Sequence, residues 1–547
     1  MKNEYWNMKK LFIAALLLVV SGVQGQACTN FIVTKGASAD GSVFVTYNAD
    51  SYGMYGDMHF HKGGTHQKGE MRKVYDWDTN KYLGEIPQAN RTYNVIGQMN
   101  ENQVSVTETT FGGREELVDS TGRVDYGSLI YIALERSRTA REAIDVMTSL
   151  VEKFGYYSEG ETFSICDKNE AWVMEMIGKG PGSKGAVWVA VRIPDGYISA
   201  HANQSRITKF LKLFPKEDVI YSKDVIKFAK EKGFFTGKDE DFSFRDAYAP
   251  NDFSAVRYCE ARVWSFFNHH VSGMDKYLDY VLCKNLNTEM PLYLRPDKKV
   301  GLTDIMEDMR DHYEGTPLDI THDLGAGAWN MPYRPTPLSK KVGDKEVFNE
   351  RPTSTQQTGF SFVGQMRSWM ADPVGGIVWW TNDDANMAPY TPISCGSLEA
   401  PDCFRRKAGV QDEVTFSWES AFWVQNTISN IVYPFYSKMF PDLKRYRSAT
   451  ETAFIADVAR LDKIGAGDRG ALTSFSKDAA KKMMDTWKGL FSYIVVKHND
   501  MAVKKVDDND KFLRTPEGYS QFPNRPGYSE EYWNKILKET GEKYLIK

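Results

Sequence analysis

Residues 9–28 constrain this chain more than any other stretch. Lys9-Lys10 is a basic start, and Leu11 to Val20 is an apolar run. That run falls short of the ~20 residues a membrane-spanning helix needs. Gly25-Gln26-Ala27 then puts small residues at the positions a signal peptidase reads. Met8 opens a more usual leader than Met1 does. Residues 1–27 therefore read as a signal peptide, and cleavage after Ala27 would leave Cys28 as the first residue of the folded protein. Its thiol would lie beside a free α-amino group, a nucleophile and a base from one residue. No later run is long and apolar enough to span a bilayer. The mature chain is expected outside the cytoplasm, periplasmic or extracellular, with no stable membrane insertion.

The 547 residues carry a formal net charge of -4, which gives no reason to expect nucleic acid or an anionic membrane as partner. A homo-oligomer is left open. The 13 Trp, 29 Tyr and 30 Phe suit a core and equally the walls of a ligand cleft. Six cysteines are too few to hold so long a chain as a disulfide framework. In an exported protein Cys395 with Cys403 is the first pair to test for a bond. None is spaced CxxC, so a zinc ribbon is not expected.

After Cys28 the pattern is strand-like. Asn30–Thr34 and Ser42–Tyr47 flank the turn residues Gly36 to Gly41 and read as a hairpin. Tyr93–Met99 and Gln103–Thr107 read as a second. Helices are predicted from Tyr126 to Arg136 and from Thr139, where Thr139 and Glu142 make a capping box ahead of Ala143, Ile144, Met147 and Val151. Strands follow at Thr162–Cys166, Ala171–Met176, Ala186–Ile193 and Tyr197–His201. Residues 218–315 read as a helical insertion and 334–357 as a loop. Strands resume at Phe360–Trp369 and Gly376–Thr381. A helix runs from Phe416 to Tyr433, helices continue to Trp487, and Asp507–Tyr528 is irregular. Strands and helices come in blocks, so the fold class is α+β, antiparallel sheets with segregated helices. No linker divides residues 28–547, which read as a single domain with a helical C-terminal extension.

Cys28 leads the residues that could carry chemistry. A free thiol is mostly protonated at neutral pH, whereas an α-amino group with a pKa of ~7.7–8.0 is a usable base there. Two other readings of Cys28 are a lipid anchor and a disulfide. Gly25 and Gln26 stand where a lipobox wants an aliphatic and a small residue, which weakens the first. Asn203 lies just past a strand, where its amide could aim an N–H at an oxyanion; a turn residue is the plainer reading. A backbone N–H near Thr109 or Thr110 is the second donor considered. His59 and His61 alternate onto one strand face, but the sequence around them and His66 reads as an exposed loop. No metal and no cofactor is assigned.

Cys28-Thr29-Asn30-Phe31-Ile32-Val33, then Lys35 to Ser42 and Asn48-Ala49-Asp50-Ser51, resembles the opening of the cysteine dipeptidases of the N-terminal-nucleophile hydrolase superfamily. These are relatives of penicillin V acylase, bile acid hydrolase and the secernins. Thr109-Thr110-Phe111-Gly112-Gly113-Arg114, Asp125-Tyr126-Gly127-Ser128, Ala200 to Ile207, Asp372-Pro373 and Ser420-Ala421-Phe422-Trp423 continue the resemblance in order. It implies a four-layer αββα sandwich of two antiparallel sheets with helical insertions. It also implies hydrolysis of small peptides or acyl-amides, and an Asp50 that orients the amine or thiol of Cys28. Tyr47, Thr109 and Thr110 are then placed at the substrate. The family commonly has Arg-Asn-x-Asp where this chain has Tyr47-Asn48-Ala49-Asp50, so a phenol replaces a fixed cation. The functions to separate are a dipeptidase, an acyl-amide hydrolase of the penicillin V acylase or bile salt hydrolase type, and a lipid-anchored binding protein.

Overall fold

The hairpin expected after Cys28 forms, and a sheet grows from it. The computed structural model describes residues 28–334 and 340–546. The expected leader, Met1–Ala27, lies outside the described residues. Strands Asn30–Val33 and Val43–Asp50 pair antiparallel, with Ile32 opposite Val45. Gly41 closes the turn at φ 84°, a conformation a side chain would strain. Every position of Val43–Asp50 is buried, so this strand is covered on both faces.

The first sheet runs Tyr293–Leu294, Ile198–His201, Asn30–Val33, Val43–Asp50, Thr358–Met366, Ile377–Asn382, Thr391–Ser394. The second runs Val219–Tyr221, Ala186–Ile193, Ala171–Gly178, Gly160–Cys166, Ser105–Gly112, Met99–Asn100, Val95–Ile96, Phe60–His61. All their pairings are antiparallel. Val43–Asp50 contacts both Ser105–Gly112 and Gly160–Cys166, so the sheets meet. Helices Tyr126–Arg136 and Ala140–Phe154 pack on the second sheet; Ala421–Val432, Tyr436–Leu461 and Arg469–Lys497 pack on the far strands of the first. Period-two alternation divides the core. Trp172, Met174 and Met176 join a cluster with Ile144 and Met147, whereas Ala171, Val173 and Ile177 join the larger cluster containing Ile32 and Val45. Each large apolar side chain buried in this way contributes roughly 1.5–3 kcal/mol. The protein is a mixed α+β structure with antiparallel sheets.

Helix Tyr126–Arg136 has the predicted bounds and is capped by Asp125. Thr139 caps Ala140–Phe154 by accepting the Glu142 N–H at 3.1 Å. The Glu142 carboxylate accepts from Arg138 N at 2.7 Å, so the return half of the box falls one residue early. Residues 218–315 are helical in short pieces, and they also supply Val219–Tyr221 to one sheet and Tyr293–Leu294 to the other. Helix Ala421–Val432 starts later than predicted because Ser420 caps it at Trp423 N. Strand Thr391–Ser394, with Pro392 inside a short run, gave no strand pattern. The helix Glu530–Thr540 after the irregular stretch was likewise not read from the sequence.

One open question is answered and one expectation is corrected. All six cysteines are free, because Cys395 Sγ is turned toward the carbonyl of Asp372, 3.4 Å away, rather than toward Cys403. His59 and His61 are not on an exposed loop. His61 stacks on Tyr131 with ring centroids 4.6 Å apart and bonds Glu135 at 2.8 Å, and His59 packs on Trp77. Burial pushes both imidazoles down to about 4, so they are neutral at pH 7. Among the described residues no three or more His, Cys, Asp or Glu side chains are arranged to hold a metal ion. Nor is any helix among them long and apolar enough to cross a membrane.

Candidate active site

Cys28 lies two residues before the strand Asn30–Val33, and its main chain is held from both sides. Its N–H donates to Asn203 Oδ1 at 2.8 Å, and its carbonyl accepts from Arg262 Nη1 at 2.6 Å. Arg262 also reaches Thr29 Oγ1 at 2.7 Å, Ala202 O at 3.0 Å and Asn203 Oδ1 at 3.2 Å. This guanidinium is almost fully buried. Arg262 is the second residue of the helix Ala261–His270, directly after the wide helical turn Ala255–Glu260. Wide turns of this kind re-aim the side chains beside them. Asn203 follows the strand Ile198–His201 at φ 66°, a left-handed conformation that asparagine tolerates better than most residues.

The thiol is 3% exposed and has two polar neighbours from other strands. Tyr47 Oη is 3.7 Å from Sγ, and Glu108 Oε1 is 3.6 Å from it. The Tyr47 hydroxyl donates to that same Glu108 oxygen. Burial first, then the charges of Glu108 and Asp50, push the thiol well above its ordinary value. The Asp50 backbone amide and the Tyr47 hydroxyl pull the other way without reversing this. At rest the Cys28 side chain is therefore a thiol and not a thiolate.

Asp50 ends the strand Val43–Asp50 and is wholly buried. Arg351 pairs with it at 2.5 Å and Thr358 Oγ1 donates to it at 2.5 Å. Burial raises its pKa, and Arg351 and Thr358 oppose the rise.

The structure brings Cys28, Tyr47, Asp50 and Asn203 together. Thr109 and Thr110 stand behind them. Thr109 Oγ1 bonds His201 Nδ1 at 2.7 Å, and Thr110 Oγ1 donates to Glu161 Oε1 at 2.7 Å. Thr110 O accepts from Asn203 Nδ2 at 2.8 Å. Both ends of the Asn203 amide are therefore directed at main chain, one of them at Cys28. Glu108, Glu161, Arg262 and Arg351 were not singled out from the sequence. A lone carboxylate in the strand Val106-Thr107-Glu108-Thr109 was the one signal available; the arginines lie in no motif.

Cys28 and Tyr47 form the floor of a cleft of about 370 Å³. Its walls include Tyr126, Tyr131, Trp77 and Phe360, and Asp57, Asp78, Glu413 and Arg406 also line it. Tyr126 Oη donates to Asp78 at 3.0 Å. Arg406 is held by Glu413 through two contacts of 2.7 Å. The lining thus carries three carboxylates and one cation that is already paired.

The family model of peptidase family C69 matches residues 63–449, and the chain belongs to that family. Glu108, Asn203 and Arg262 lie inside the matched span; Cys28, Tyr47 and Asp50 precede it. The chain is 26% identical over 414 residues to a probable dipeptidase of Salmonella dublin, covering 71% of this chain and 85% of that protein. It is 27% identical over 402 residues to a dipeptidase of Bifidobacterium longum (strain NCC 2705), covering 67% and 71%. A probable dipeptidase of Latilactobacillus sakei is 22% identical over 463 residues, covering 81% and 88%. The protein is a peptidase of this family.

The Tyr47 position makes a prediction of its own. A guanidinium there would face Glu108 and Sγ, and an opposite charge within ~4–6 Å favours the ionised thiol. Tyr47→Arg should lower the apparent pKa of Cys28 in pH-dependent iodoacetamide labelling, whereas Tyr47→Phe should not. A folded Tyr47→Arg protein with an unmoved labelling profile would show that this position does not tune the thiol.

Proposed function

We propose that the protein is an exported dipeptidase that cleaves small peptides through Cys28 as an N-terminal nucleophile, with the sandwich of that superfamily as its fold. The observation that carries this reading is the Cys28 thiol at the floor of an acidic cleft, its main chain gripped by Asn203 and Arg262. With the leader removed after Ala27, the α-amino group stands where Cys28 N does, 2.8 Å from Asn203 Oδ1. Held there beside the thiol, the amine in its neutral form accepts the thiol proton. Thiolate then attacks the scissile carbonyl, the amine returns its proton to the leaving nitrogen, and water resolves the thioester. Asp50, anchored by Arg351 and Thr358, sets the orientation of this end of the strand. Substrate is placed by Tyr47 and the cleft walls, with Thr109 and Thr110 supporting from behind.

The cleft's charge decides between substrate classes. Bile-salt conjugates and penicillins carry an anionic group, which Asp57 and Asp78 oppose, Glu413 being paired with Arg406. A peptide with a free α-ammonium is favoured by them. Free dipeptides should therefore exceed their N-acetyl forms in kcat/KM by about 10-fold or more, a difference of ~1.4 kcal/mol. Equal rates on the two forms, or a preference for acyl-amides, would overturn the dipeptidase reading. N-terminal sequencing of the native protein tests the nucleophile's position: full activity in protein that retains Ala27 would remove the α-amino group as the principal base.

A further inference from the structure

The scheme above leaves two buried carboxyl groups beside the nucleophile unused. Glu108 and Glu161 come from adjacent antiparallel strands in which Thr110 lies opposite Glu161 and Glu108 lies opposite Phe163. Alternation puts Glu108, Thr110 and Glu161 on one face, with the two acids as diagonal neighbours. Both are 0% exposed. Glu108 Oε1 touches Cys28 Sγ at 3.6 Å and accepts from Tyr47, and Glu161 Oε1 accepts from Thr110 at 2.7 Å. The other oxygen of each, Glu108 Oε2 and Glu161 Oε2, is buried without a hydrogen-bond donor.

Two adjacent carboxyls in a dry site cannot both ionise, so the pair keeps one proton between its unpartnered oxygens. Burial raises both groups, and the charge of Glu108 raises Glu161 further, while a hydrogen bond from Glu161 favours the ionised form of Glu108. Of the two, Glu161 is pushed up further, so the arrangement favours the proton on Glu161 and the charge on Glu108. The other titratable groups facing the pair are Cys28, Tyr47, Tyr126, Tyr156 and Asp78. Burial keeps the three phenols neutral. Asp50 is paired with Arg351, and Arg262 bonds the Cys28 carbonyl.

Resting on Cys28 as nucleophile, we propose that Glu108 is a second catalytic base, able to take the thiol proton when residue 28 has no free α-amino group. The S–H proton passes to Glu108 Oε1 and its electron pair stays on sulfur. Tyr47, released from the now neutral Glu108, donates to the thiolate. The S–C bond forms, the carbonyl π pair moves to oxygen, and the C–N bond breaks as Glu108 gives its proton to the departing amine. Water then adds to the thioester, leaving its proton on Glu108. The C–S bond breaks, the carboxylic acid departs, and sulfur recovers that proton. Glu161 is a positioning residue, since it acts by keeping Glu108 ionised.

The test compares mature protein beginning at Cys28 with a chain that keeps Ala27 ahead of it, both confirmed by intact mass. The wild-type Ala27 form is expected to retain measurable dipeptide hydrolysis. Glu108→Gln should lower its kcat/KM by about 100-fold or more, the size of a general-base contribution, and the mature form's by less than about 10-fold. The same variant should speed iodoacetamide labelling of Cys28 at neutral pH, because a neighbouring anion has gone. A merely structural role would depress both. Glu161→Leu should move the rising limb of the Ala27 form's kcat/KM profile to higher pH, since Glu108 is active only when ionised and has lost the donor that favours ionisation. Glu161→Gln, which keeps a donor, should leave the limb in place. An Ala27 form with no activity, or one indifferent to Glu108→Gln, overturns the proposal while mature wild-type activity stands. Should Glu108→Gln fail to fold, an unmoved limb in Glu161→Leu overturns it equally. Mature wild type inactive on all dipeptides would instead sink the dipeptidase reading.

Discussion

Replacing Cys28 with alanine is expected to reduce peptide hydrolysis by at least about 10⁴-fold while the protein stays folded. A nucleophile that forms the covalent intermediate has no substitute within reach, and losses of this size follow when a catalytic unit loses its central member. The side chain is small and the groups around it are polar, so the change in stability should stay near ~1 kcal/mol. Cys28→Ser keeps a donor toward Glu108 Oε1 but offers a far less acidic hydroxyl, and it should remain strongly impaired. Single-turnover assays on dipeptides, with near-ultraviolet circular dichroism to confirm folding, make the measurement. Wild-type turnover in the alanine protein would end the case for Cys28.

Arg262→Met should be the most damaging substitution outside the nucleophile. The guanidinium bonds the carbonyls of Cys28 and Ala202, the hydroxyl of Thr29 and the Asn203 amide oxygen from an almost fully buried position. Methionine fills similar volume but leaves buried acceptors unmet, at ~1–3 kcal/mol each. A stability loss on the order of 3 kcal/mol, read from urea unfolding, should accompany a fall in kcat. Arg262→Lys should recover little, because one ammonium lacks the planar fork that reaches several acceptors at once. A methionine variant that melts within about 2 °C of wild type and keeps most of its activity would show that the grip on Cys28 is dispensable.

These two residues mark what the sequence could and could not convey. Cys28 stood out because a leader-like pattern ends just before it. The strands around it were legible because β-branched and aromatic residues cluster between turn residues, and helix Tyr126–Arg136 was read with its observed bounds. Arg262 meets Cys28 across 234 residues, and Arg351 meets Asp50 across 301. No local period or spacing encodes such meetings; they follow from how the sheets pair and where the helical segment folds back. His59 and His61 misled for the same reason. Their local sequence is polar, and only the tertiary neighbours Trp77, Tyr131 and Glu135 cover them in part. Tyr47 was noticed as a departure from the family pattern, but its partner Glu108 became apparent only when two sheets were laid together.

The segment 218–315 ends one sheet with Val219–Tyr221 and the other with Tyr293–Leu294, and between those strands it carries Arg262. Both terminal strands are very short, three and two residues. Brief edges of this kind offer little template for another chain to pair with. One stretch of polypeptide therefore guards two sheet borders against intermolecular pairing and braces the nucleophile from behind. Solubility and reactivity are tied to the same inserted piece. A shortened version of this protein lacking it would bare two longer strands and lose the cation at Cys28 in one step.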